Sequence, residues 1–259
     1  MDALKELKWG SFGPVHIITL ILSALIVVAL YFILKGKTEK TQKIVLFLLS
    51  LWGPAAILYN ILMWGLKSSV LEYLPLHLCS INAILLPILV LTKSNVLGNL
   101  LPVYSVGAVL ALILNTFQAD YLIFDHVFLM FWLPHTLEFA IPILMITLGL
   151  VKIRPKYIPA CLGITFVMYT VIHFINLWLN QYLIDSNILD SAGNVIQVSY
   201  MYSLYELGGK GNPMFDIFYS LIPYDYFYML AAFPIIGVVY FFMNLKYIIS
   251  KIKEKKSKA

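Results

Sequence analysis

This sequence predicts an all-α polytopic membrane protein of seven transmembrane helices, with its N-terminus outside and its C-terminus cytoplasmic, and three observations carry that expectation. The 259 residues are 61% hydrophobic and 12% charged, with a mean hydropathy of +0.87, whereas about a quarter of the residues of a soluble domain are charged. Seven apolar stretches approach or exceed the roughly 20 residues needed to cross a hydrocarbon core of about 30 Å. The basic residues are sorted into alternate connections, as the positive-inside rule requires. The net charge of +5 is therefore a topology signal and calls for no nucleic-acid partner.

The stretches lie near 14–34, 43–64, 74–92, 97–115, 126–150, 157–181 and 226–249. The first follows a short mixed-charge lead, MDALKELKWG, without a small-residue cleavage site, so it is expected to be a retained helix and not a signal peptide. Lys35, Lys37, Lys40 and Lys43 follow the first stretch, Lys93 the third, and Lys152, Arg154 and Lys156 the fifth, while six lysines fill the tail from 246. The alternate connections hold Lys5, Lys8, Lys67 and Lys210 together with ten of the thirteen acids. Residues 1–259 are expected to form one domain. Within it the long outer connection, 182–225, needs structure of its own. NILDSAGNVIQV predicts a hairpin, and the tyrosine-rich run that follows suits an interfacial, lid-like cap. GGKGNP inside that run lacks the spacing of a phosphate loop.

Polar residues inside the spans mark where function is to be sought, because their cost at membrane depth turns them toward a bundle interior or a wet cavity. All five histidines fall in the outer half of this topology. His135 lies nine residues into its span and His173 eight residues before the outer end of its own, depths of roughly 13 and 12 Å. Cys79 is expected roughly 8 Å in. Asn60, Asn115 and Asn176 share that layer, although an intramembrane Asn often serves only to bond a neighbouring helix. His16 and His126, at the interface, are expected to be solvated. Glu138 is three residues after His135 and so on the same helical face, where orienting His135 is a natural task.

YLPLHLCSIN, residues 73–82, places an imidazole and a thiol at one such edge. Pro75 suits the first turn of a helix, which would put Cys79 near the positive end of the dipole, where a thiolate is favoured and can act as a nucleophile. On a regular helix His77 points about 200° away from Cys79, leaving His135 or His173 as the base and His77 to hold a head group. Cys161, among apolar neighbours on the opposite side, is expected to be a core residue. His77, Cys79, His135 and His173 also have the donor types of a zinc or haem site, but no pair has i, i+4 spacing, and neither a metal nor a cofactor is expected.

LPLHLCSIN, FDHVFLMFWLPHTLEF and YMYSLYELGGKGNPMFDIFYSLIPYDY resemble, in that order, the conserved blocks of the YwaF-like bacterial integral membrane proteins, relatives of the eukaryotic transmembrane protein 164 family. The resemblance implies a seven-helix fold in the cell membrane. It implies acyl transfer to lysophospholipids, with Cys79 carrying the acyl group and His135 as its partner. Pro134 and Ser199 depart from the usual serine and asparagine. The expectation is a cysteine-dependent transacylase acting on phospholipid or lysophospholipid at the extracytoplasmic leaflet. Cys79, His135 and His173 are its candidate catalytic residues, and His77, Asn60, Asn115, Asn176, Glu138 and Tyr202 its candidate substrate contacts. The alternative is a transporter or ligand-binding protein gripping a solute in the same polar layer.

Overall fold

A computed structural model of the chain describes residues 8–114, 121–190 and 192–256. Among them are nine α-helices: α1 (Pro14–Leu34), α2 (Glu39–Ser50), α3 (Trp52–Asn60), α4 (Leu78–Thr92), α5 (Asn95–Leu114), α6 (His126–Thr147), α7 (Ile158–Asp185), α8 (Pro213–Leu221) and α9 (Phe233–Lys256). Six helical stretches are long and apolar enough to cross a bilayer, and α4, at 15 residues, is a shorter apolar helix. The protein is therefore a multi-pass membrane protein. The chain packs as two compact units, each built from two separate segments: residues 1–59 with 78–152, and 60–77 with 153–259.

In the first unit α1 is inside out relative to a soluble helix. His16, Thr19 and Ser23, spaced on one face, are buried, while Ile18, Leu25 and Phe32 face outward. Ser23 Oγ meets Thr136 Oγ1 on α6 at 2.9 Å, and Trp132 Nε1 donates to the same Ser23 oxygen at 2.9 Å. Pro54 has no N–H for the carbonyl of Ser50, and α2 ends there. Helices approach closely where side chains vanish: a Cβ on Gly53 would stand 2.7 Å from that of Ala83, and one on Gly98 would stand 2.1 Å from Val151 Cγ1. α4, α5 and α6 all pack on one another.

In the second unit α7 is the spine. Asn180 Nδ2 donates to Val198 O at 2.8 Å while Val198 N–H donates to Asn180 Oδ1 at 2.7 Å. One turn away Asn176 does the same for Tyr200, at 2.8 and 3.0 Å. Two side-chain amides on one helical face thus replace a neighbouring strand as partners for the backbone of 198–200. The expected hairpin is present in minimal form, with Leu189 paired to Val195 and Ile196 N–H bonded to Ile188 O at 2.9 Å. Beyond it Phe215, Phe218 and Tyr228 form an aromatic core, beside which Tyr205 stacks on Tyr219 at 3.8 Å. Two glycines of GGKGNP serve packing: a Cβ on Gly208 would meet Ser199 at 2.8 Å, and one on Gly209 would meet the Tyr228 hydroxyl at 2.8 Å.

Candidate functional site

α4 begins at Leu78, so Pro75 lies before the helix and not in its first turn. Leu74 N–H is held by the Tyr200 hydroxyl at 3.3 Å and Leu76 N–H turns back to Leu74 O at 2.8 Å, which keeps this stretch out of the helix. Cys79 is therefore the second helical residue, nearer the helix end than the expected depth. The thiol is half-buried. Asn82, three residues on and on the same face, is fully buried, and its Nδ2 donates to Glu138 Oε2 of α6 at 3.4 Å. Asn82 Oδ1 has no hydrogen-bond partner among the described residues. Asn82 belongs to the site although only Cys79 and His77 stood out in its motif; its i+3 spacing from Cys79 was the available signal.

A proline explains how Glu138 is seated. Pro142 has no N–H for the carbonyl four residues back, and that carbonyl is Glu138's. Ser105 of α5 fills the vacancy, its Oγ lying 2.7 Å from Glu138 O and 2.7 Å from Leu101 O and sharing its one hydrogen between the two carbonyls. The bond joins α5 to α6 at the residue whose side chain faces α4.

His135 is half-buried, and its Nδ1 lies 2.8 Å from the Phe131 carbonyl, not against Glu138 as expected. A carbonyl only accepts, so in the neutral ring Nδ1 carries the hydrogen and Nε2 keeps a lone pair. His16, expected to be solvated, is fully buried instead. Phe12 N–H donates to its Nδ1 at 2.8 Å and its Nε2–H donates to Leu112 O at 2.7 Å, so both nitrogens are spent on structure. His126 is exposed, 3.2 Å from Asp125.

The remaining described candidates belong to the second unit. His77 precedes α4, so the helical argument that turned it away from Cys79 lapses. Its ring lies 5.2 Å from that of Tyr200 and 5.4 Å from that of Tyr202, and desolvation among these neighbours lowers its pKa to about 4. Tyr200 donates to Leu71 O, and loss of hydration pushes its own phenol up to about 12. Tyr202 keeps 37% of its surface exposed. α7 runs four residues past the expected end, to Asp185, so His173 lies twelve residues, about 18 Å, from that end. His173 Nδ1 is 3.0 Å from Ser203 Oγ. Asn176 is consumed by Tyr200 and Ser203. Asn60 is exposed, and Asn115 lies outside the described residues. Among the described residues no three His, Cys, Asp or Glu side chains gather as metal ligands.

No curated protein and no solved structure matches the chain. A family model described as the TMEM164 family matches residues 11–243. That match runs from the lead before α1 into α9 and takes in both units, so the chain belongs to the TMEM164 family.

Proposed function

We propose that this protein is a cysteine-dependent transacylase of phospholipids, working at the extracytoplasmic leaflet of a bacterial plasma membrane, with α4 as a seventh span and the N-terminus outside. The contact that supports it best is Asn82 Nδ2 to Glu138 Oε2, 3.4 Å. In the seven-span arrangement α4 and α6 run in the same direction. Stepping back three residues from Asn82 reaches Cys79, and from Glu138 reaches His135, so thiol and imidazole come level, about 4.5 Å above that contact. Each step keeps to one helical face.

The chemistry follows from the groups present. Cys79 Sγ attacks the carbonyl carbon of a phospholipid ester while its proton passes to His135 Nε2, the nitrogen with the lone pair. The ester C–O bond breaks, the departing lysophospholipid oxygen takes that proton, and the acyl group stays on sulfur as a thioester. A second lysolipid hydroxyl then attacks the thioester, again giving its proton to His135, and the proton returns to the thiolate. Bonds and protons balance without ATP or coenzyme A, since one ester replaces another. Glu138 and Asn82 brace the α4–α6 contact, and His77 with Tyr202 contacts lipid.

Purified protein in liposomes holding phospholipid with a labelled acyl chain and an unlabelled lysophospholipid should move label to the lysolipid. Cys79→Ala should stop this and His135→Ala should slow it by about 10²-fold or more, the scale of a lost general base. Equal transfer by wild type and Cys79→Ala would sink the proposal; binding or uptake of a polar solute without transfer would favour the transporter.

A further inference from the structure

The second unit carries a groove that the proposed reaction does not use. It runs between the start of α7 and α9, has a volume of about 300 Å³, and is walled by Ile158 and Leu162 of α7 and by Ile236, Phe241 and Ile248 of α9. Gly237 also lines it, and a Cβ there would have nothing within 4 Å, so the groove is open where α9 passes it. Along α9 the wall from Phe233 to Asn244 covers eleven residues, roughly 16 Å. That is about one leaflet of a hydrocarbon core of about 30 Å. Such a length, with a volume at the low end of ligand pockets, suits one acyl chain.

One polar atom of the groove wall is unsatisfied. Asn244 lines the groove and is 2% exposed. The partner it has fixes its orientation: Tyr240 O, 2.9 Å away, only accepts, so the amide atom facing it is Nδ2. The other atom, Oδ1, has no hydrogen-bond partner among the described residues. A buried acceptor calls for a donor. The ester carbonyls of a diacyl lipid only accept and do not answer it, whereas a hydroxyl does. Three residues on, about 4.5 Å along the axis, the Arg154 guanidinium lies over the Tyr247 ring at 5.3 Å. Arg154 and Tyr247 each precede a residue of the groove wall, Pro155 and Ile248, which sets the cation at the mouth. Residues 153–160 and 240–256 hold seven basic side chains against one acid, and a guanidinium matches the geometry of a phosphate.

We propose that this groove binds a lysophospholipid, with the phosphate at Arg154, the free glycerol hydroxyl donating to Asn244 Oδ1 and the single acyl chain running past Gly237 toward Phe233. In such a lipid the carbon bearing the hydroxyl adjoins the carbon bearing the phosphate, so a cation and an acceptor about 4.5 Å apart along one helix are spaced for it. A diacyl lipid brings a second chain to a one-chain groove and an ester oxygen to an acceptor. Cys79 lies in the other unit, and the site stands without the transacylase reading.

Photocrosslinking tests this without any need for catalysis. A lysophosphatidylglycerol with a diazirine near the end of its chain, added to the full Cys79→Ala chain in nanodiscs so that no acyl transfer consumes it, should leave its adduct on 158–162 or 233–241. Gly237→Leu, which puts a side chain into the groove where a Cβ meets no neighbour, should cut that adduct by about 10-fold or more, the scale of a filled apolar pocket. Adducts confined to other segments, or an unchanged yield in Gly237→Leu, overturn the groove. Competition by unlabelled lipid then reads the hydroxyl. Lysophosphatidylglycerol should displace the probe at least about 5-fold better than its 2-deoxy analogue, the low end of the cost of an unpaired buried acceptor, and better than diacyl phosphatidylglycerol. Asn244→Leu should abolish the preference over the deoxy analogue, and Arg154→Gln should weaken both competitors alike. Equal competition by the hydroxyl and deoxy lipids with Asn244 in place overturns the hydroxyl contact, and better competition by the diacyl lipid overturns the single-chain fit.

Discussion

Asn180 offers the cleanest test of how the 198–203 segment is held, because it sits one turn beyond Asn176 and touches neither His173 nor Ser203. Its side chain is 7% exposed and closes two bonds on Val198, 2.8 Å to the carbonyl and 2.7 Å from the N–H, while Val198 itself is 5% exposed. Asn180→Ala strands both backbone groups away from water. At about 1–3 kcal/mol for each orphaned group the local cost is roughly 2–6 kcal/mol. Since 1.4 kcal/mol is a factor of ten, the open population of the segment should rise by about 30-fold at the least. Hydrogen exchange in nanodiscs reads this directly: the Val198 and Tyr200 amides should lose protection while the amides of α5 and α6 keep theirs. Limited proteolysis between 186 and 203 should accelerate in parallel. Unchanged exchange at Val198 would refute the claim that side-chain amides on α7 anchor this segment.

Three further outcomes are expected. Ser105→Ala should lower thermal stability by about 1–3 kcal/mol, because it leaves the Glu138 carbonyl without a donor; Pro142→Ala in the same chain should recover much of the loss by supplying the missing backbone N–H, and no recovery would show that the proline is not the cause. His77, with a folded pKa of about 4 against an ordinary 6.5, binds fewer protons folded than unfolded, so its contribution to stability is intact above pH 6.5 and is lost as pH falls from there through about 4; denaturation titrations should show a shallower acid slope for His77→Gln, and identical slopes would contradict a desolvated ring. In a chain carrying Cys79→Ala and Cys161→Ala, a membrane-impermeant maleimide on intact cells should label Ser68→Cys and spare Lys37→Cys, both exposed positions; the reverse pattern would invert the orientation.

The six long apolar helices were legible because hydropathy acts over twenty residues at a time and needs no tertiary partner. The α6 start at His126 was readable for the same reason, with Asp125 as its cap. The inward polar stripe of α1 was also available in the spacing of His16, Thr19 and Ser23, yet His16 read as solvated because position along a span says nothing of the face it occupies. The start of α4 was misjudged for a different cause: the Leu74 N–H is bonded to Tyr200, 126 residues away, and no local pattern around Pro75 records that bond. Glu138 pairs with Asn82 and not with His135 because the carbonyl of Phe131 is nearer to hand on the same helix. Asn176 and Asn180 showed a pattern, i and i+4, that marks one helical face but not what the face binds. Ser203 carried no signal at all: it lies in an irregular turn, and its partners are on α7, 27 and 30 residues earlier.

The central claim is that Cys79 carries an acyl group, and intact mass of the protein taken directly from membranes tests it most directly. The wild type should show a fraction heavier by one fatty acyl chain, removed by neutral hydroxylamine, and Cys79→Ala should show none. Cys79→Ser should either remain unacylated or hold an oxygen ester that neutral hydroxylamine spares. An acyl adduct that persists in Cys79→Ala, or a wild type that takes up no acyl chain while transferring label between lipids, would contradict the account.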